Sequence, residues 1–214
     1  MNTKSTSRPV RLITALALVL LASSTISASA DSAAHVRWDI VSLNFAAVPP
    51  PVSAGGVASA LADDGAKITL TGNGTFVAPA GGSGRSSAAT GGGTWETRDK
   101  FNNVTGSGTY KVTGLVRWDQ APGTPPPLPD LIDDPAERSA GLVVLTVKYS
   151  DGERGVLVVS CHLVGTPDTV FEGVNASKGF VHYYDNVAPV AGVDANRTLF
   201  HVSPEDGDND EGDD

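Results

Sequence analysis

Beyond the first thirty residues the chain alternates apolar and polar positions in short runs, the two-residue period of half-buried β-strands. Val36, Trp38 and Ile40 are apolar with polar neighbours; the phase then slips by one, and Val41, Leu43 and Phe45 continue it. A one-residue slip turns the buried face over unless a bulge absorbs it, so the pattern predicts a bulge near Ile40. Pro49-Pro50-Pro51 stops that strand. Val143, Leu145, Val147 and Tyr149 alternate up to Ser150-Asp151-Gly152-Glu153, and an apolar run from Val156 to Val164 returns. Asp-Gly favours a tight turn, so this pair reads as a hairpin. On the returning run Leu157, Val159, Cys161 and Leu163 share one face, while Val156, Val158, Ser160, His162 and Val164 share the other. Both faces are apolar enough for a strand covered on two sides or for a barrel wall. Val181 to Tyr183 and Arg197 to Val202 read as further strands, and no long segment has helical periodicity. The expected fold is all-β: a single antiparallel β-barrel, with a β-sandwich as the alternative.

A six-residue phrase occurs three times: Thr71-Gly72-Asn73-Gly74-Thr75-Phe76, Thr90-Gly91-Gly92-Gly93-Thr94-Trp95 and Thr105-Gly106-Ser107-Gly108-Thr109-Tyr110. Each copy sets glycines before a Thr-aromatic pair, which suits tight bends with an aromatic ring covering the gap. A phosphate cradle needs a following helix and usually a lysine; β-formers follow here instead. A second echo pairs Val36-Arg37-Trp38-Asp39 with Val116-Arg117-Trp118-Asp119. The Gly-, Ser- and Ala-rich stretch from Gly81 to Gly93 reads as a mobile loop. Six prolines between Gln120 and Ser139 make that segment a long irregular connection, with room for one short helical turn after Asp134-Pro135.

The ends of the chain set the compartment. Lys4, Arg8 and Arg11 precede a short apolar run, Leu12 to Ala22, and Ala28-Ser29-Ala30 follows. This is the layout of a cleavable signal peptide over residues 1–30. The run is too short for a transmembrane helix, which needs about 20 apolar residues. The protein is therefore expected to be secreted or periplasmic, with no stable membrane span. Residues 31–203 form the β domain, and 204–214 an acidic tail. The formal charge of the whole chain is −9, and the tail holds seven of its acidic residues. No basic footprint for nucleic acid is present. The single cysteine, Cys161, has no internal partner for a disulfide, so a packed core must hold the fold.

The phrase Val170-Phe171-Glu172-Gly173-Val174-Asn175-Ala176-Ser177-Lys178-Gly179-Phe180 resembles the F-x-G-(x)n-G-x-F strand pair of allene oxide cyclases and dirigent proteins. The run from about Lys67 to Val202 also resembles uncharacterised exported bacterial proteins. The resemblance implies a β-barrel with an apolar cavity, used in one family for a cyclisation and in the other to steer radical coupling. Neither family's active-site residues have counterparts in this chain, so it brings the barrel and no catalytic residue.

Candidate chemistry is sparse. His162, His182 and His201 fall on predicted strands, but they lack any close zinc motif and read as isolated strand histidines. Ser160 beside His162 suggests a nucleophile and base, yet a catalytic serine sits on a strained turn rather than mid-strand. Cys161 reads as a small buried hydrophobe. Ser160, His162 and Tyr183 remain as candidate ligand-binding residues. Asp206, Asp208 and Asp210 partly mimic a calcium loop without its twelfth-position acid. Nothing calls for a cofactor. The expected function is non-catalytic binding of a small apolar ligand or another protein. The alternative is a cyclase- or isomerase-type barrel enzyme acting on a lipid-like substrate.

Overall fold

The computed structural model describes residues 34–78, 88–185 and 196–204. The proposed leader and the tail acids Asp206, Asp208 and Asp210 lie outside these. Among the described residues twelve strands follow one another: β1 (Ala34–Leu43), β2 (Val52–Ala54), β3 (Ala58–Leu61), β4 (Lys67–Leu70), β5 (Asn73–Ala78), β6 (Gly92–Arg98), β7 (Val104–Ala121), β8 (Arg138–Tyr149), β9 (Arg154–Cys161), β10 (Gly173–Lys178), β11 (Val181–Tyr183) and β12 (Arg197–Pro204). The only helical element among the described residues is a 3-10 turn at Pro135–Glu137, which Asp134 caps by accepting the Ala136 N–H at 2.8 Å. It falls where Asp134-Pro135 predicts it.

Six strands close into an antiparallel barrel, in the order β1, β5, β6, β7, β8, β12 and back to β1. The fold is therefore all-β and a barrel, as the alternation predicts. Outside the ring, β9, β10 and β11 extend from β8, while β4 and β3 extend from β6. These two flaps meet where Leu61 bridges to Asp185.

Closure follows from where the glycines and aromatics sit. A Cβ built on Gly74 would lie 2.8 Å from Trp38 Nε1, one on Gly106 would meet the Trp95 ring at 3.1 Å, and one on Gly108 would lie 3.0 Å from Trp95 Nε1. Rings therefore cover glycines of the first and third copies, but from neighbouring strands rather than from the copy's own aromatic, while Gly91, Gly92 and Gly93 of the second copy lie against backbone. Threonines of the first two copies join across strands, Thr71 to Thr94 at 2.7 Å and Thr75 to Thr90 at 2.8 Å.

The barrel interior is solid. Phe76 from β5 and Phe200 from β12 both meet Trp118 of β7 edge-on, with centroids 5.4 and 4.7 Å apart. Val36, Trp38, Ile40, Leu115 and Leu145 complete a fully buried filling. Between the flaps, Trp95 packs edge-on to Tyr149 at 5.9 Å, and Tyr110 and Tyr149 donate to the carbonyls of Thr71 and Ser177. Burial drives both phenol pKa values upward.

Three sequence expectations need correction. The β1–β12 register runs unbroken from Ala34 to Val41, so there is no bulge near Ile40. Trp38, Asp39, Ile40 and Val41 are all buried because the outer face of β1 is covered as well. The register slips instead in β7, between Val112 and Gly114 and between Leu115 and Arg117. The second slip lies within the other copy of the Val-Arg-Trp-Asp echo and turns Trp118 inward. Secondly, residues 81–87 of the expected glycine-rich loop lie outside the described residues, and its end is not loop: Ala89 bridges to Phe76, and β6 begins at Gly92. Thirdly, the returning strand of the hairpin stops at Cys161, so His162 lies just beyond its end. The hairpin itself forms as predicted, with Gly152 N–H donating to the Tyr149 carbonyl and Gly152 at φ +97°.

Candidate functional site

The outer face of β1 and β12 is the start of the site. Antiparallel pairing sets Arg37 opposite His201, Asp39 opposite Leu199 and Val41 opposite Arg197. Two segments cover this face. β2 pairs with β1 through Val41–Ala54 and Leu43–Val52. The proline-rich connection then lies beside β2, because Val52 donates to the Pro129 carbonyl at 2.9 Å and accepts from Leu131 N–H at 3.0 Å. The long connection is therefore an ordered cover over the barrel wall.

Beneath the cover sits a buried polar group of residues. Asp39 has no exposed surface, and both its oxygens accept from Arg37, at 2.7 and 3.2 Å. The hydrogen bond to Asp39 pushes the Arg37 pKa upward. Arg117 and Asp119 repeat this ion pair in the second copy of the echo, there on an exposed face. Asp130 comes from the proline-rich segment itself. Its Oδ1 accepts the Ile132 N–H at 2.9 Å, and its Oδ2 lies 3.1 Å from His201 Nε2 and 3.6 Å from Arg138 Nε. Burying charges this deeply is tolerable only when they are paired and hydrogen-bonded.

Alongside this group opens a cleft of about 210 Å³. Its walls are Val41 and Leu43 of β1, Val52 of β2, Leu199 of β12, Leu163 of the segment after β9, and Pro125, Pro126 and Leu128 of the cover. Arg138, His162, Glu172, Arg197 and Thr198 supply its polar positions. The cleft lies outside the ring.

Glu172 ties two walls together. Its Oε2 accepts the His162 backbone N–H at 2.6 Å, and its Oε1 accepts the Thr198 N–H at 2.7 Å. Burial raises its pKa to about 7 despite these bonds and the charge of Arg197. A carboxyl poised there can hold or release a proton near neutrality. His162 Nδ1 lies 2.7 Å from the Val170 carbonyl. Since a carbonyl can only accept, that nitrogen carries the hydrogen.

The three candidate ligand residues are not brought together. His162 lines the cleft. Ser160 is fully buried, and its Oγ has no hydrogen-bond partner. Tyr183 is buried on β11 opposite Ala176, beside a separate groove with Val156, Val158 and Asn175. The three strand histidines are likewise dispersed: His201 is sealed against Asp130, while His182 is exposed on β11. No cluster of metal-binding side chains occurs among the described residues. The Cys161 thiol is buried, and its pKa is driven upward. Phe171 and Phe180, the aromatic ends of the quoted phrase, are half-buried and fully exposed respectively.

Sequence reasoning missed Arg138, Glu172, Arg197 and Thr198. The one faint signal for Glu172 is its place inside the quoted phrase, between Phe171 and Gly173. No helix among the described residues is long and apolar enough to cross a membrane. No family model, curated protein or solved structure matches this chain.

Proposed function

We propose that this is an exported, non-catalytic β-barrel protein that binds a small apolar ligand in the cleft beneath the proline-rich segment. The observation that carries the reading is the contrast between a solid barrel interior and an apolar cleft on its outer wall. A barrel filled by Trp38, Phe76, Trp118 and Phe200 leaves no internal seat for a lipid-like molecule. The cleft combines aliphatic walls with a few convergent polar groups, the usual composition of a ligand site. Export rests on the positive leader, short apolar run and Ala28-Ser29-Ala30.

A cyclase- or isomerase-type enzyme is the second reading, and Glu172 is what favours it, since its pKa of about 7 suits general acid–base work. Binding is the stronger reading because both Glu172 oxygens are already held by backbone donors. Such a carboxylate is first a bracket between two walls.

Saturation-transfer NMR with single-ring and short-chain compounds tests the proposal. Transfer to wild-type protein, lost in Leu163→Trp with an unchanged circular dichroism spectrum, is the expected result. No transfer to the wild type, or equal transfer to both proteins, contradicts it.

A further inference from the structure

We propose that the ligand of the cleft is a small monocarboxylic acid with an apolar body, its carboxylate held by the terminal nitrogens of Arg138; this rests on the reading of the cleft as a ligand site. Arg138 opens β8, directly after the 3-10 turn. Its Nε donates to the Pro135 carbonyl at 3.1 Å and lies 3.6 Å from Asp130 Oδ2. Only 7 % of the side chain is exposed. A guanidinium so enclosed should have every donor satisfied.

Its terminal nitrogens do not. They make no hydrogen bond among the described residues, whereas the Nε is anchored. Nor are they sealed in like Trp38 Nε1, Ser160 Oγ and His201 Nδ1, the fully enclosed side-chain atoms that lack a partner among the described residues. Arg138 lines the cleft, where the unpaired end of its fork would meet the charged group of a ligand. A guanidinium carries five N–H donors in one plane. With Nε tied back, the remaining donors present the paired geometry that suits the two oxygens of a carboxylate.

The rest of the cleft defines the rest of the ligand. An engineered cavity of roughly 150 Å³ holds benzene, so about 210 Å³ accepts one ring, or a short chain of similar bulk, with an acid arm. Val41, Leu43, Val52, Leu163 and Leu199 offer that body no hydrogen bonds, which selects an apolar one. Glu172 and Arg197 stand in the same cleft and already act on each other electrostatically, so Arg138 is the cation left to meet a charge on the ligand. One acid group is the complement.

Isothermal titration of the purified protein with 3-phenylpropionate and with the matching alcohol, 3-phenylpropan-1-ol, tests this. The acid should bind the wild type at least about tenfold more tightly, the gain expected of a charge-assisted contact. Arg138→Gln should erase the preference, and Arg138→Lys should restore part of it, because lysine keeps the charge without the fork. Equal affinity for acid and alcohol overturns the acid assignment while leaving the cleft as a ligand site. Absence of binding by either compound overturns both. The wild-type comparison stands whether or not the variants fold.

Discussion

The indole of Trp118 meets the ring of Phe200 edge-on at 4.7 Å, across the middle of the barrel. One residue comes from β7 and the other from β12, strands separated in the ring by β8. Their contact fills the space that a ligand-carrying barrel would keep open. Edge-to-face pairs of this kind add stability beyond their buried area. Phe200→Ala should therefore cost about 3–5 kcal/mol, read from urea denaturation midpoints. A loss under about 1 kcal/mol, the range of exposed sites, would show that the interior is loosely packed.

Glu172 gives stability a pH signature. Its folded pKa is about 7 against an ordinary 4.5, so between those values the folded state keeps a proton that the unfolded state has released. Stability from this group is complete below pH 4.5, falls as pH rises, and levels off above pH 7. The full loss is on the order of 3 kcal/mol. Glu172→Gln should lack this slope, and the difference between the two proteins removes the slopes common to both. Parallel stability curves from pH 5 to pH 8 would contradict the assignment.

Glycines in the fold differ in kind. A Cβ on Gly93 would lie 1.9 Å from the Thr71 carbonyl oxygen, a backbone atom with no freedom to move aside. Gly152, at φ +97°, has nothing within 4 Å and needs glycine for its backbone conformation alone. Gly93→Ala should cost about 2–4 kcal/mol and Gly152→Ala about 1 kcal/mol. Equal costs in thermal melts would refute the close strand approach.

What the sequence made legible was local. The Ser150–Glu153 hairpin and the turn capped by Asp134 are written in adjacent residues, so they form where turn chemistry places them. The glycine phrase signalled aromatic cover but not its source, because Trp38 and Trp95 cover Gly74 and Gly108 across the strand pairing rather than along the chain. The bulge that the pattern predicts near Ile40 is absent for a non-local reason. Val41 looked like a residue on the wrong face, but β2 and the proline-rich segment bury that face, and no window around Ile40 can reveal a cover contributed by Pro129 and Leu131. The cleft was hidden for the same cause: Arg138, Glu172 and Thr198 belong to three separate stretches of chain. The sequence sets His162 beside Ser160, yet β9 ends between them, and only His162 reaches the cleft.

Export has its own check. N-terminal sequencing of the protein recovered outside the cytoplasm should begin at Asp31, after Ala28-Ser29-Ala30. A chain that still carries Leu12 to Ala22 would contradict cleavage.

The central claim is that ligand binds on the outer wall and not within the ring. A methyl chemical-shift map of the protein titrated with 3-phenylpropionate reads this directly. Shifts should concentrate on Val41, Leu43, Val52, Leu163 and Leu199, the aliphatic walls of the cleft. Shifts concentrated instead on Val36, Leu115 and Leu145, inside the barrel, would contradict it.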